Sequence, residues 1–65
     1  MNNFNNNNDL SKAVCDRLLD AAEQLFAQTG FNGTSIRHIT TKANSNIAAV
    51  NYHFGGKEKL YIEVF

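Results

Sequence analysis

Apolar residues recur at helical spacing from about residue 11 onward, and this pattern predicts an all-helical chain. The first stripe repeats at i, i+3, i+4, i+7, i+10 and i+11, while the charged residues beside it point away. It predicts a helix over about residues 11–29, followed by Gly30 in the left-handed position that often ends a helix. Phe31 is then expected to pack back on the stripe, which consists of Cys15, Leu18, Leu19, Ala22, Leu25 and Phe26.

A second, shorter helix is predicted over about residues 35–43, after the turn "FNGTS". Either Thr34 or Ser35 can accept hydrogen bonds from the free amides at its start. Its apolar face is narrow, so the helix must lie against a larger element. That face consists of Ile36, Ile39 and Ala43.

The segment "ANSN" interrupts the helical pattern and precedes a third helix, predicted over about residues 46–53. Asn44 tolerates the left-handed conformation, and Ser45 or Asn46 can cap the new helix. Gly55-Gly56 ends it, and a fourth helix begins in residues 56–65 with Leu60, Tyr61 and Val64 on one side. The chain stops at Phe65 in mid-pattern, so we expect it to be part of a longer protein.

Composition sets the broad class of the 65-residue chain. Residues 1–10, with six asparagines before Asp9, offer too few apolar groups to offset ordering and are predicted to be a disordered arm. No apolar run is long enough to span a membrane, and no signal peptide precedes the polar start, so we expect a cytoplasmic protein. Cys15 is the only cysteine, which excludes an internal disulfide and a cysteine metal site.

The net charge is zero, but the charges are segregated. Residues 1–29 carry two basic and four acidic side chains, whereas residues 24–57, the acid-free segment, contain no acid and three basic side chains: Arg37, Lys42 and Lys57. A solvated polar surface would explain such a gap, and so would a surface for a polyanion.

Two short helices joined by a tight turn and braced by a longer helix are the arrangement of a helix-turn-helix, whose second short helix enters the DNA major groove.

From about Lys12 to Phe65 the sequence closely resembles the N-terminal domain of tetracycline-repressor-like (TetR/AcrR family) transcriptional regulators. The resemblance lies in "LLDAAEQLFAQTGFNGTSIRHIT" and "AAVNYHFGGKEKLY". It implies a helix-turn-helix DNA-binding domain over residues 11–55 and, in 56–65, the start of a helix to a further domain that dimerises and binds a small-molecule effector. The turn departs from the usual Ala-Gly-Val-Ser of such proteins, and Ser45 in place of a buried valine needs a hydrogen-bond partner.

The resemblance also implies the residues that contact double-stranded DNA. Asparagine pairs bidentately with adenine, and an aliphatic side chain can touch a thymine methyl. Simple helix capping is the alternative for Asn46, core packing for Ile47, and a solvated surface for Arg37. For Tyr52 the alternative is half-buried packing against Leu60. Val50 and Phe54 are assigned to the core. The candidates for base contacts are Arg37, Asn46, Ile47, Ala49 and Asn51, and those for phosphate contacts are Thr34, Tyr52, His53 and Lys57.

Other classes of function receive little support. His38 and His53 with Ser35 or Cys15 supply catalytic residue types, but no acid lies near either histidine in sequence, so we do not expect an enzyme. Nor do we expect a metal, a cofactor or a membrane partner. The predicted function is sequence-specific DNA binding by a dimeric, effector-responsive repressor at a near-palindromic operator. The alternative is a small helical protein-interaction module that uses its acid-free face.

Overall fold

A computed structural model of the chain describes residues 6–65, and this part of the chain is all-helical, as predicted. Helices and their connections account for every residue described, and there is no strand among them. None of these helices is both long enough and apolar enough to cross a membrane. The helices are α1 (Asn6–Thr29), α2 (Ile36–Lys42), α3 (Ile47–His53) and α4 (Lys57–Val64).

Helix α1 begins earlier than the sequence pattern indicated. Residues 6–10 were expected to belong to a disordered arm, but the helix includes them. Starting a helix is costly, whereas lengthening an existing one adds a hydrogen bond for each residue fixed, so a polar segment can continue a helix that is nucleated elsewhere. Residues 1–5 of the predicted arm lie outside the described residues.

The core lies where α1 meets the three shorter helices. One face of α1 supplies most of it, and the short helices contribute one or two residues each, which explains why they need α1 to be stable. The predicted apolar stripe is confirmed at its centre, while Cys15 and Leu19 lie half-buried at its edges. The buried apolar residues are Leu18, Ala21, Ala22, Leu25, Phe26, Ile39, Ala43, Val50 and Leu60.

The turn after α1 is closed by backbone geometry and hydroxyl groups. Gly30 has the predicted positive φ, 78°, and its amide donates to the carbonyl oxygen of Phe26. Gly33 is required for a different reason, since a Cβ there would collide with the carbonyl oxygen of Thr29. The Thr34 hydroxyl lies within hydrogen-bond distance of the carbonyl oxygens of Leu25 (3.1 Å) and Gly30 (2.8 Å). The Thr29 hydroxyl also donates to Leu25 O, at 2.8 Å, so the two threonines together supply donors to carbonyl oxygens at the end of α1.

The turn between α2 and α3 has the hydrogen bonds of a Schellman motif. Asn44 adopts the predicted left-handed conformation with φ 56°, and its amide donates to Thr41 O at 3.2 Å. The amide of Ser45 donates to Thr40 O at 2.8 Å. Ser45 is only half-buried, so its hydroxyl avoids the full cost of removal from water that a buried site would impose.

An aromatic cluster holds the start of α4 against the end of α1. The ring of Tyr61 meets Phe26 and Phe31 edge-on, with centroids 4.9 and 5.2 Å away. Phe31 stacks on Phe26 at 5.9 Å, which confirms that it packs back on α1. The Lys57 ammonium lies 4.2 Å from the centroid of the Phe31 ring, in range of a cation–π interaction.

Candidate nucleic-acid interface

Helix α3 has one face on the core and one face in solvent. Val50 is fully buried, while Ile47, Ala48, Asn51 and Tyr52 are exposed. Residues three and four positions apart are neighbours on a helix, so these four side chains form one continuous patch, the α3 face. Ile47 is 45% exposed and lies at its edge, which favours an outward role over the core packing considered from the sequence.

Asn46 lies at the start of α3 and caps it. Its backbone is extended, and its side-chain oxygen accepts a hydrogen bond of 2.8 Å from the amide of Ala49. A bidentate pair with adenine requires both the oxygen and the nitrogen of the asparagine side chain. One lone pair of this oxygen is therefore committed to the helix, which supports the capping alternative for Asn46, and Asn51 is the asparagine on the α3 face.

The alanine exposed on α3 is Ala48, which was not among the predicted base contacts, and not Ala49. Ala49, a candidate base contact, is half-buried and packs against the core, whereas Ala48 is exposed. Each helical residue turns by about 100°, so Ala48, two positions before Val50, lies about 200° around the helix from it. The assignment of Val50 to the core therefore carried the signal that could have identified Ala48.

The aromatic candidates for phosphate contacts differ in accessibility. Tyr52 is 83% exposed, so it does not take up the half-buried position against Leu60 that was considered for it. Its ring meets that of His53 edge-on, with centroids 4.9 Å apart. His53 is half-buried and also lines a groove of about 460 Å³ with residues of α4, so only part of its ring is available on the α3 side.

Thr34 does not have the accessibility that a direct phosphate contact needs. Its exposed fraction is 1%, its hydroxyl faces carbonyl oxygens at the end of α1, and its amide donates to Phe31 O at 3.3 Å. From the sequence, Thr34 or Ser35 was expected to cap the start of α2. The structure assigns the Thr34 hydroxyl to the end of α1, and Ser35 caps α2 instead by accepting from the His38 amide.

The basic residues of the acid-free segment, of which Arg37 and Lys57 are candidate contacts, lie on both sides of α3 in sequence. Arg37 is exposed on the first turn of α2, and Lys42 is exposed on its last. Lys57 is half-buried at the start of α4, with its ammonium over Phe31. No acidic residue lies between Gln24 and Lys57, so neither α2 nor α3 carries a carboxylate that would repel phosphate groups.

Two short helices joined by a closed turn, packed on a longer first helix and leaving one acid-free face exposed, define a helix-turn-helix DNA-binding domain. Comparison with known proteins makes the assignment specific, because the model of the family described as bacterial regulatory proteins, tetR family, matches residues 18–64. The chain belongs to the TetR family, as its sequence features indicated. This family consists of regulatory proteins, in agreement with the expectation that the chain is not an enzyme.

Individual relatives support the same assignment. The chain is 47% identical over 49 residues to the HTH-type transcriptional repressor NicS of Pseudomonas putida, covering 75% of the chain and 23% of that protein. It is 45% identical over 42 residues to the probable HTH-type transcriptional regulator YttP of Bacillus subtilis, covering 65% and 20%. With the HTH-type transcriptional regulator QacR of Staphylococcus aureus the identity is 35% over 49 residues, covering 75% and 26%. The matched region thus spans about a quarter of each relative's length or less.

Proposed function

We propose that the chain is the DNA-binding head of an effector-responsive repressor, and that α3 reads base edges in the major groove. The observation that carries this proposal is the α3 face: four exposed side chains without a carboxylate, on a helix narrow enough for the groove. We assign base contacts to Ile47, Ala48 and Asn51, with Arg37 as a further candidate on α2. We assign phosphate contacts to Tyr52, His53 and Lys57.

The operator is proposed to be near-palindromic and bound by a homodimer. Two heads related by a twofold axis would place their α3 helices in successive major grooves, about 34 Å apart or a multiple of that distance. The dimer interface and the effector site are assigned to residues outside this chain, because the relatives are several times longer than the matched region. We propose repression as the direction of regulation because the relative NicS is named as a transcriptional repressor.

The test is a fluorescence-anisotropy titration of the 65-residue chain with random duplex DNA between 50 and 200 mM salt. The logarithmic salt slope is about −0.9 if Lys57 alone neutralises a phosphate. If Arg37 and Lys42 also contact phosphates, the slope is about −2.7, and binding weakens about 40-fold over this range. Lys57→Gln should reduce the slope by about one, whereas Lys12→Gln, the same charge change on α1, should leave it unaltered. Absence of salt-sensitive binding would reject the proposal in favour of the protein-interaction module.

A second titration tests the dimeric arrangement. Two copies of the chain joined by a Gly/Ser linker of about 40 residues, whose average span is about 35 Å, raise the effective concentration of the second head. We expect the tandem form to bind a duplex with two half-sites more tightly than a duplex with one. Equal affinity for both duplexes would contradict reading by paired heads.

A further inference from the structure

The α3 face contains the chemistry for one kind of base pair. A thymine presents a methyl group in the major groove, which suits an aliphatic side chain, and an adenine presents the donor and acceptor that an asparagine amide pairs with. Ile47 and Ala48 supply the aliphatic groups, and Asn51 supplies the amide. Guanine is most often read by arginine or lysine and cytosine by a carboxylate, and α3 carries none of these residues.

These three side chains are close enough to read adjacent base pairs. Asn51 is four positions from Ile47 and three from Ala48, so the Cβ atoms of each pair are expected to lie about 5–6 Å apart. Successive bases rise by about 3.4 Å, so this distance covers one to two base-pair steps. Asn46 precedes α3 and its side-chain oxygen caps the helix, and Ala49 packs against the core, so Asn51 is the asparagine within this patch.

We propose that the part of the operator facing α3 is a run of about three adjacent A·T pairs, in which Ile47 and Ala48 contact thymine methyl groups and Asn51 pairs with an adenine. This inference rests on the proposed function and narrows it from DNA in general to a base composition. In this proposal, the base specificity of α3 arises from methyl contacts and one amide pair. The specificity therefore depends on DNA groups that can be removed one at a time.

The experiment uses the 65-residue chain and short duplexes with a randomised core, from which the bound fraction is sequenced. An A·T-rich core is expected to be enriched. Each thymine of the enriched core is then replaced by deoxyuridine, which removes only the C5 methyl group. Affinity should fall about fourfold at each contacted position, the factor expected when one methyl group leaves an apolar contact.

Combining a protein substitution with the deoxyuridine replacement shows which side chain contacts which thymine methyl group. In Ile47→Ala, the deoxyuridine penalty should disappear at one thymine and persist at the others. Leu10→Ala, which truncates an exposed aliphatic side chain on α1, should retain every penalty. An unchanged penalty in Ile47→Ala would overturn the assignment of that contact.

The outcomes separate this inference from the proposed function. Salt-sensitive binding with a G·C-rich enriched core, or with no deoxyuridine penalty at any position, would overturn the inference and leave DNA binding intact. Absence of binding to every duplex would reject both.

Discussion

Arg17 Nε donates a hydrogen bond of 3.0 Å to the carbonyl oxygen of Ala43, joining residues that are 26 positions apart. Ala43 is the C-cap of α2, and carbonyl groups at a helix end lack partners within their own helix. A guanidinium there also complements the negative end of the helix dipole. The turn that directs α3 is thus fastened to α1 by a side chain as well as by the core.

Replacing Arg17 by methionine should destabilise the domain, because methionine keeps an apolar stem but cannot donate this hydrogen bond. We expect a loss of about 1 kcal/mol in the free energy of unfolding. Urea denaturation followed by circular dichroism measures it. Lys12→Met removes the same charge from α1 and serves as control; equal losses in both variants would show that the bond to Ala43 contributes nothing.

Thr34 provides a test of structural support against DNA contact. Thr34→Val replaces a buried hydroxyl by a methyl group and should cost about 1–3 kcal/mol, since the carbonyl oxygen of Gly30 loses its hydroxyl donor, whereas that of Leu25 keeps the one from Thr29. Thr34→Ser keeps the hydroxyl and should cost about 1 kcal/mol for the methyl group. DNA affinity, measured where both variants are fully folded, should equal that of the parent chain. A selective loss of affinity in Thr34→Val would restore Thr34 as a phosphate contact.

The left-handed conformation of Asn44 predicts the order of stability among variants at this position. Asn44→Ala should destabilise the domain by about 1 kcal/mol, because a Cβ without a compensating polar group is strained at positive φ. Asn44→Gly removes this strain and should differ from the parent by only about 0.5 kcal/mol. Thermal unfolding gives the order. Asn32→Ala, in an exposed turn, is the control, and a loss there as large as in Asn44→Ala would refute the conformational explanation.

Phosphate and base contacts should respond differently to substitution. Tyr52→Ala and Lys57→Gln are expected to weaken binding on all sequences alike, since phosphates carry no sequence information. Asn51→Ala should instead relax the preference at one base pair by about 1–3 kcal/mol. Titrations against a preferred duplex and its single-base variants measure both effects. The reverse pattern would overturn the division of roles.

The sequence predicts the helices and the core well because both depend on periodicity. Leu18, Ala22 and Phe26 are buried where the α1 stripe places them, and Asn44 is left-handed where the turn requires it. The early start of α1 could not be predicted in this way, since a polar segment that extends a helix has no apolar period to reveal it.

The site was harder to predict because its residue types serve more than one purpose. A threonine hydroxyl suits either helix end beside it, so sequence alone could not decide that Thr34 faces Leu25 and Gly30. Two consecutive alanines look alike until the direction of the core is taken from Val50, and the packing of Ala49 against the core agrees with that direction.

The aromatic cluster at the start of α4 has a mechanical consequence. Although Gly55 and Gly56 precede α4 and would suit a hinge, the contacts of Tyr61 with Phe26 and Phe31 cross that point and tie the first two turns of α4 to α1. We therefore expect a displacement of the far end of α4 to move α1, and α3 packed on it, as one unit, with no bending at the two glycines.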